Sequence, residues 1–218
     1  ETADAAFHQG VRYKEGDGVA QSDEKAATYF RQAADAGHAD AQFLLGLALQ
    51  TGRGVAKDPA EALSWYRKAG VQGHTEGQFL AGLMHRRGLG TKKDPVAAFD
   101  WFRRAAAQDH TGAQFQLGLA YAKGEGVAED DARALEYFEA AAGRGHAEAM
   151  FVVADAYSNG RGVAKDHAWA ARWYGRAARL GVARAQYMLG VGFGAGLGLP
   201  RVPGEAYFWL ILAADRGA

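Results

Sequence analysis

The pair Gly-x-Gly occurs six times along the 218-residue chain, at Gly16/Gly18, Gly52/Gly54, Gly88/Gly90, Gly124/Gly126, Gly160/Gly162 and Gly196/Gly198, and every step is 36 residues. A fixed period of this length marks a repeat array, not a flexible linker. Other columns keep the same register: Tyr29, Trp65, Trp101, Tyr137, Trp173 and Trp209, and likewise Ala33, Ala69, Ala105, Ala141, Ala177 and Ala213. The repeats fill the chain and leave no stretch for a separate catalytic domain.

Within one unit, Ala39 to Thr51 carries Ala41, Leu45 and Leu49 at i, i+4 and i+8, which predicts a helix, here termed helix A. After Gly-Arg-Gly-Val-Ala-Lys, Asp58-Pro59 supplies an N-cap oxygen followed by a residue with no amide hydrogen to leave unpaired, so a second helix, B, starts there. Asp94-Pro95 repeats this start, Ser22, Asp130 and Asp166 offer the cap alone, and Gly73 and its equivalents end helix B. Phe43 and Leu47 lie on the side of helix A opposite Ala41 and Leu45, so one face meets its own helix B and the other needs a neighbour. Such a pair is not stable alone and must stack on others of its kind. The expected fold is all-α, an α/α solenoid of six 36-residue helix-turn-helix repeats forming a single repeat domain over 1–218, with pairs at about 3–36, 39–72, 75–108, 111–144, 147–180 and 183–216.

The pattern Ala-x-x-x-Leu-Gly (Ala41, Leu45, Gly46; Ala113, Leu117, Gly118; Ala185, Leu189, Gly190), then Gly-x-Gly-Val, then Ala-x-x-Trp-Tyr-x-x-Ala (Ala62, Trp65, Tyr66, Ala69) and a closing Gly resembles the Sel-one-like repeat, a relative of the tetratricopeptide repeat. The resemblance covers residues 3 to 217 and implies a right-handed solenoid, with adaptors and scaffolds as the usual role. Four departures, Asp109 for the closing Gly, Gly70 and Gly77 for Ala and Thr91 for Val, make the third unit and its junction with the fourth the least regular. In the sixth unit Val202 takes the N-cap position, and Ile211 and Leu212 stand where earlier units carry Arg67-Lys68 or Arg103-Arg104. That end is apolar where a solenoid wears a polar cap, so either the chain was cut there from a longer protein or the surface docks onto something through Ile211 and Leu212.

Composition excludes several classes. At 49% apolar and 23% charged the chain supports a packed interior. Twenty-five cationic side chains balance twenty-five acidic ones, so there is no general attraction to nucleic acid. Without cysteine there is no disulfide, thiolate nucleophile or zinc-finger site. The longest apolar run, Ala206 to Ala214, falls far short of the roughly 20 residues of a membrane span.

No catalytic or metal site is expected. His38, His74, His110 and His146 share a column, but equivalent atoms on successive helix pairs lie on the order of 9 Å apart. Nitrogens that share a metal ion must each approach it to about 2 Å. These rings are therefore expected to pack or cap turns. Ser22-Asp23-Glu24-Lys25 matches the Ser-x-x-Lys motif of penicillin-recognising enzymes, yet Ser22 falls in the helix-cap column and no Ser-Asp-Asn or Lys-Thr-Gly partner exists. The Gly-x-Gly loops follow helices and lack the further residues of a phosphate cradle, so they are expected to be interhelical turns. No cofactor is expected.

What remains is surface. By analogy with the tetratricopeptide repeat, helix A lines a concave face, and its outward residues predict a groove for a protein or peptide segment. The candidate residues are Asp40, Phe43, Leu47, Gln50, Phe79, Leu83, Arg86, Arg87, Phe115, Leu119 and Lys123. Phe7, Phe43, Phe79, Phe115, Phe151 and Tyr187 form an aromatic column that serves either as groove anchors or as packing between repeats. Arg86, Arg87 and Lys123 are expected to give one cationic spot suited to a carboxylate. The leading expectation is a non-enzymatic protein-protein interaction scaffold. The alternatives are a carbohydrate or cell-wall binder with weak β-lactam binding, and a structural self-assembly module. Glu1 is not an initiating Met, which suits either an exported protein without its signal peptide or a piece of a longer chain. The bacterial relatives implied by the resemblance are frequently exported, which points to the periplasm or the exterior over the cytoplasm.

Overall fold

The computed structural model of the protein describes residues 2–217, so Glu1 lies outside the described residues. Among these the fold is all-α, with twelve helices and no strand: α1 (Ala3–Glu15), α2 (Asp23–Asp35), α3 (Ala39–Thr51), α4 (Pro59–Val71), α5 (Thr75–Arg87), α6 (Pro95–Ala106), α7 (Thr111–Lys123), α8 (Asp131–Gly143), α9 (Ala147–Asn159), α10 (His167–Arg179), α11 (Ala183–Ala195) and α12 (Pro203–Ala214). The chain divides into two compact units, the first ending at His110 and the second beginning at Thr111. Each contains three A/B pairs, and within each the arrangement is solenoid-like: a B helix packs on its own A helix and on the A helix that follows.

The helices begin and end where the sequence places the chemistry. The Ser22 hydroxyl accepts the Lys25 amide, and Asp58, Asp94, Asp130 and Asp166 accept first-turn amides of α4, α6, α8 and α10. Val202 offers α12 no side-chain cap. A helices end at a left-handed glycine, as at Gly52 (φ 80°), whose own amide closes on the Ala48 carbonyl. Past the B helices the chain again needs a positive φ, 93° at Gly37 and Gly73. Asp109 stands in that column and adopts φ 64°, a conformation that aspartate tolerates better than most side chains.

Inside each of the first four pairs, a ring from helix B packs against a glycine of helix A. A Cβ at Gly46 would sit 2.7 Å from the Tyr66 ring, so only glycine lets α3 and α4 approach this closely. The approach buries Leu45 and Tyr66 completely, each a contribution of roughly 1.5–3 kcal/mol.

Between pairs, three devices recur. The second loop glycine seats on the first turn of the preceding B helix: a Cβ at Gly54 would lie 2.1 Å from the Asp23 carbonyl oxygen, and at Gly162 2.4 Å from that of Asp131. A buried glutamine reaches back to the end of the preceding B helix, where Gln42 donates to the Ala34 carbonyl, Gln78 to Gly70 and Gln186 to Ala178. Each of these carbonyls also accepts the amide of the turn glycine, Gly37, Gly73 or Gly181, so the glutamine fills its second acceptor position. The third device joins a histidine, a phenylalanine and an acid and belongs to the candidate surface.

Gly54→Ala and Gly18→Ala separate conformation from contact. Both sites have positive φ, but Gly18 has only the movable Arg12 guanidinium nearby. Thermal unfolding is expected to show a loss of about 1 kcal/mol for Gly18→Ala, and about 3 kcal/mol or more for Gly54→Ala, which adds a clash with backbone. Equal losses would mean that the loop does not seat on the preceding helix.

Candidate protein-interaction surface

The histidine column works as a set of caps. Nδ1 of His38, His74 and His146 accepts the backbone amide three residues on, from Ala41, Gly77 and Ala149. That bond requires an unprotonated Nδ1, so the neutral ring carries its hydrogen on Nε2. Nε2 then faces an acid of the preceding repeat: Asp4 from His38 at 3.6 Å, Asp40 from His74 at 3.4 Å and Glu76 from His110 at 3.0 Å. Each imidazole also lies against a phenylalanine of the preceding repeat, with centroids 4.2 Å apart for Phe7 and His38, 4.5 Å for Phe43 and His74, 4.3 Å for Phe79 and His110, and 4.4 Å for Phe115 and His146. At the last junction Val182 replaces the histidine. Arg184 takes over both contacts, lying 4.6 Å over the Phe151 ring and pairing with Glu148.

Beside this column the A helices open a series of hollows in equivalent positions. Between the first two repeats one of about 50 Å³ lies among Phe30, Leu44, Leu47 and Ala48, rimmed by Lys14, Thr51 and the Asp23–Arg53 ion pair. Between the fourth and fifth repeats, within the second unit, one of about 230 Å³ lies among Leu119, Phe138, Phe151, Val152 and Ala156, with Lys123, Asp155 and Arg161 at its edge. A smaller hollow of about 30 Å³ between the fifth and sixth repeats includes Gly192 and Tyr174, whose phenol is pushed up to about 12 by burial. The column that holds Ala48, Ala156 and Gly192 holds Met84 in the third repeat, and that longer side chain is 1% exposed.

The structure places the candidate residues as follows. Asp40 is exposed and pairs with His74, while Phe43, Phe79 and Phe115 are half-buried and lie against histidines, Phe43 and Phe115 stacked and Phe79 tilted. Leu47 is 38% exposed over the first hollow, and Gln50 accepts the Tyr66 hydroxyl at 2.7 Å. Leu83 and Arg86 are half-buried and Arg87 is exposed at the end of α5. Leu119 and Lys123 line the large hollow of the second unit. Arg86 and Arg87 thus belong to the first unit and Lys123 to the second. Sequence reasoning missed Phe30, Arg53, Phe138, Asp155 and Arg161; the signal was the alternation of Ala, Met and Gly in one column of helix A.

The chemical motifs resolve locally. Ser22 is engaged as a cap and the Lys25 ammonium lies 5.1 Å from the centroid of the Tyr13 ring. No helix among the described residues is long and apolar enough to cross a membrane.

The family model described as Sel1 repeat matches residues 3–38, 39–74, 75–110, 111–146, 147–182 and 183–217, and the chain belongs to this family. Sel1 repeat proteins generally mediate protein-protein interactions and are typically non-enzymatic scaffolds. Similar solved structures include a Sel1 repeat protein from Oxalobacter formigenes, 34% identical with a TM-score of 0.88, over 98% of this chain and 88% of that one. A protective antigen present in uropathogenic Escherichia coli strains, displaying an SLR fold, is 32% identical with a TM-score of 0.94 over 99% of this chain. This chain spans 46% of that protein's length. An immunity protein from Pseudomonas aeruginosa, 24% identical over 98% of this chain and 81% of that one with a TM-score of 0.51, shares the fold. No curated protein matches the chain.

The His146 cap makes the fold acid-sensitive. Burial holds the His146 ring below its ordinary value, Glu148 offsetting only part of this, so the folded state resists a proton that the unfolded chain accepts near pH 6.5. The unfolded state binds more protons there, and stability therefore falls as pH drops below about 6.5 and levels off below the folded-state value. His146→Asn keeps a capping oxygen without a titrating ring. Urea midpoints measured from pH 7.5 to 5 are expected to fall less in this variant than in the wild type; parallel curves would remove His146 as a source of the sensitivity.

Proposed function

We propose that the protein is a non-enzymatic scaffold that binds a protein or peptide segment along the A-helix faces of its repeats. The observation that supports this most is the pair of equivalent hollows beside Leu47 and Leu119, each with an apolar floor and a charged rim. Apolar side chains of a partner fit such floors, while Lys14, Arg87 and Lys123 offer donors to its carboxylates and carbonyls. The aromatic column stiffens this face from beneath, because Phe7, Phe43, Phe79 and Phe115 are each held by a histidine and Phe151 by Arg184.

Leu47→Glu combined with Arg87→Glu introduces two charges on exposed positions of α3 and α5 and is expected to leave the circular dichroism unchanged. A partner captured by the wild type, purified and titrated calorimetrically, is expected to bind this variant at least about tenfold more weakly. Equal affinity would place the partner elsewhere and defeat the reading.

A second contact is proposed at the C-terminal helix, where Tyr207, Phe208 and Ile211 are 71%, 55% and 44% exposed and Leu212 is half-buried. Apolar exposure this dense favours association with another surface. Ile211→Lys with Phe208→Lys is expected to lower the sedimentation coefficient if copies of the chain associate there; an unchanged monomer in both forms would remove self-assembly.

A further inference from the structure

On the opposite side of the first unit from the hollows just described, the B helices carry a charge arrangement of their own. An open trough of about 700 Å³ runs between α4 and α6, with Arg67, Lys68 and Arg104 along it, Val71 and Trp101 as apolar ground and Gln72 at one end. The acids of these two helices face other partners. Glu61 accepts from Arg31 at 2.6 Å and from the Trp65 indole at 3.1 Å, which holds its carboxyl below the ordinary range, Lys68 adding a smaller attraction. Asp100 pairs with Arg103 at 3.7 Å. Among the described residues no ion pair engages Arg67, Lys68 or Arg104. Lys68 and Arg104 are held over the rings of Trp65 and Trp101, 3.6 Å and 4.8 Å from their centroids, so their positions are restrained before any ligand arrives. The matching positions of the first repeat are Arg31, Gln32 and Asp35; there the arginine is neutralised by Glu61 and the third residue is an acid, so the feature belongs to this junction and not to the repeat.

We propose that this trough is a second docking site, for an acidic peptide segment of a partner protein in which an aliphatic residue is flanked by carboxylates. The carboxylates meet Arg67, Lys68 and Arg104, and the aliphatic side chain covers Val71, which is 71% exposed. The residues up to His110 carry fourteen basic and fourteen acidic side chains, so the positive field is local to the trough and does not form the continuous cationic track that a nucleic acid backbone needs.

The test is fluorescence anisotropy of the full chain with a fluorescein-labelled Glu-Glu-Leu-Glu-Glu peptide at low salt. Saturable binding is expected to weaken at least about tenfold in Arg67→Glu/Arg104→Glu, to weaken in the milder Arg67→Gln/Arg104→Gln, and to stay unchanged in Arg87→Glu on the other face. Both trough variants change exposed side chains, and circular dichroism is expected to match the wild type. The proposal is overturned by absent binding, by equal affinity in the trough variants, by equal binding of Gln-Gln-Leu-Gln-Gln, or by a short oligothymidylate that binds as tightly as the acidic peptide.

Discussion

Within each unit a repeat is held by the backbone of the one before it. Where the second loop glycine rests on the first turn of the preceding B helix, no atom of a side chain fits between the two chains. That contact sets the distance between pairs, and the distance in turn decides what the other devices must be. A glutamine is long enough to reach the free lone pair of a carbonyl at the end of the neighbouring helix, and an imidazole is wide enough to lie on a phenylalanine while its two nitrogens face a helix amide and an acid. Alanine at His74 would leave the buried Gly77 amide without its acceptor, at a cost of about 1–3 kcal/mol.

Helix pairs were legible in the sequence because two independent signals coincided: a period of apolar residues and the punctuation of caps and glycines. The bounds of α3 follow directly from Ala39 and Thr51, and the cap acids stand where an amide needed an acceptor. The surface was less legible for a physical reason. Phe43, Phe79 and Phe115 look alike in sequence whether they face a ligand or a neighbour, and only their packing against His74, His110 and His146 shows how they are engaged. The hollows depend on the difference between Ala48 and Met84, a matter of side-chain length that carries no periodic signal. Similarly, the chain's zero net charge concealed a trough in which the acids are paired with arginines outside it.

Function in this fold is therefore written in the positions that the repeat does not prescribe. Prescribed columns make the stack, and their chemistry is consumed by it: serine as a cap, histidine as a cap and stacking partner, glycine as a seat. The unprescribed columns differ from one junction to the next, as Lys14, Gln50, Arg86, Ala122 and Ser158 do within a single column, and through them otherwise equivalent hollows acquire different volumes and rims.

The exchange at the last junction carries a lesson about inheritance. Val182 without Arg184 would strip Phe151 and Glu148 of their partners, and Arg184 without Glu148 would lose its counterion, so the three positions are viable as a set. They lie in two different repeats. A recombination that moves one whole repeat therefore cuts through two such sets, whereas one that breaks the chain in the middle of a repeat keeps the junction intact. For a protein of this kind the heritable module is the seam between repeats, and duplicated units should diverge in pairs across that seam.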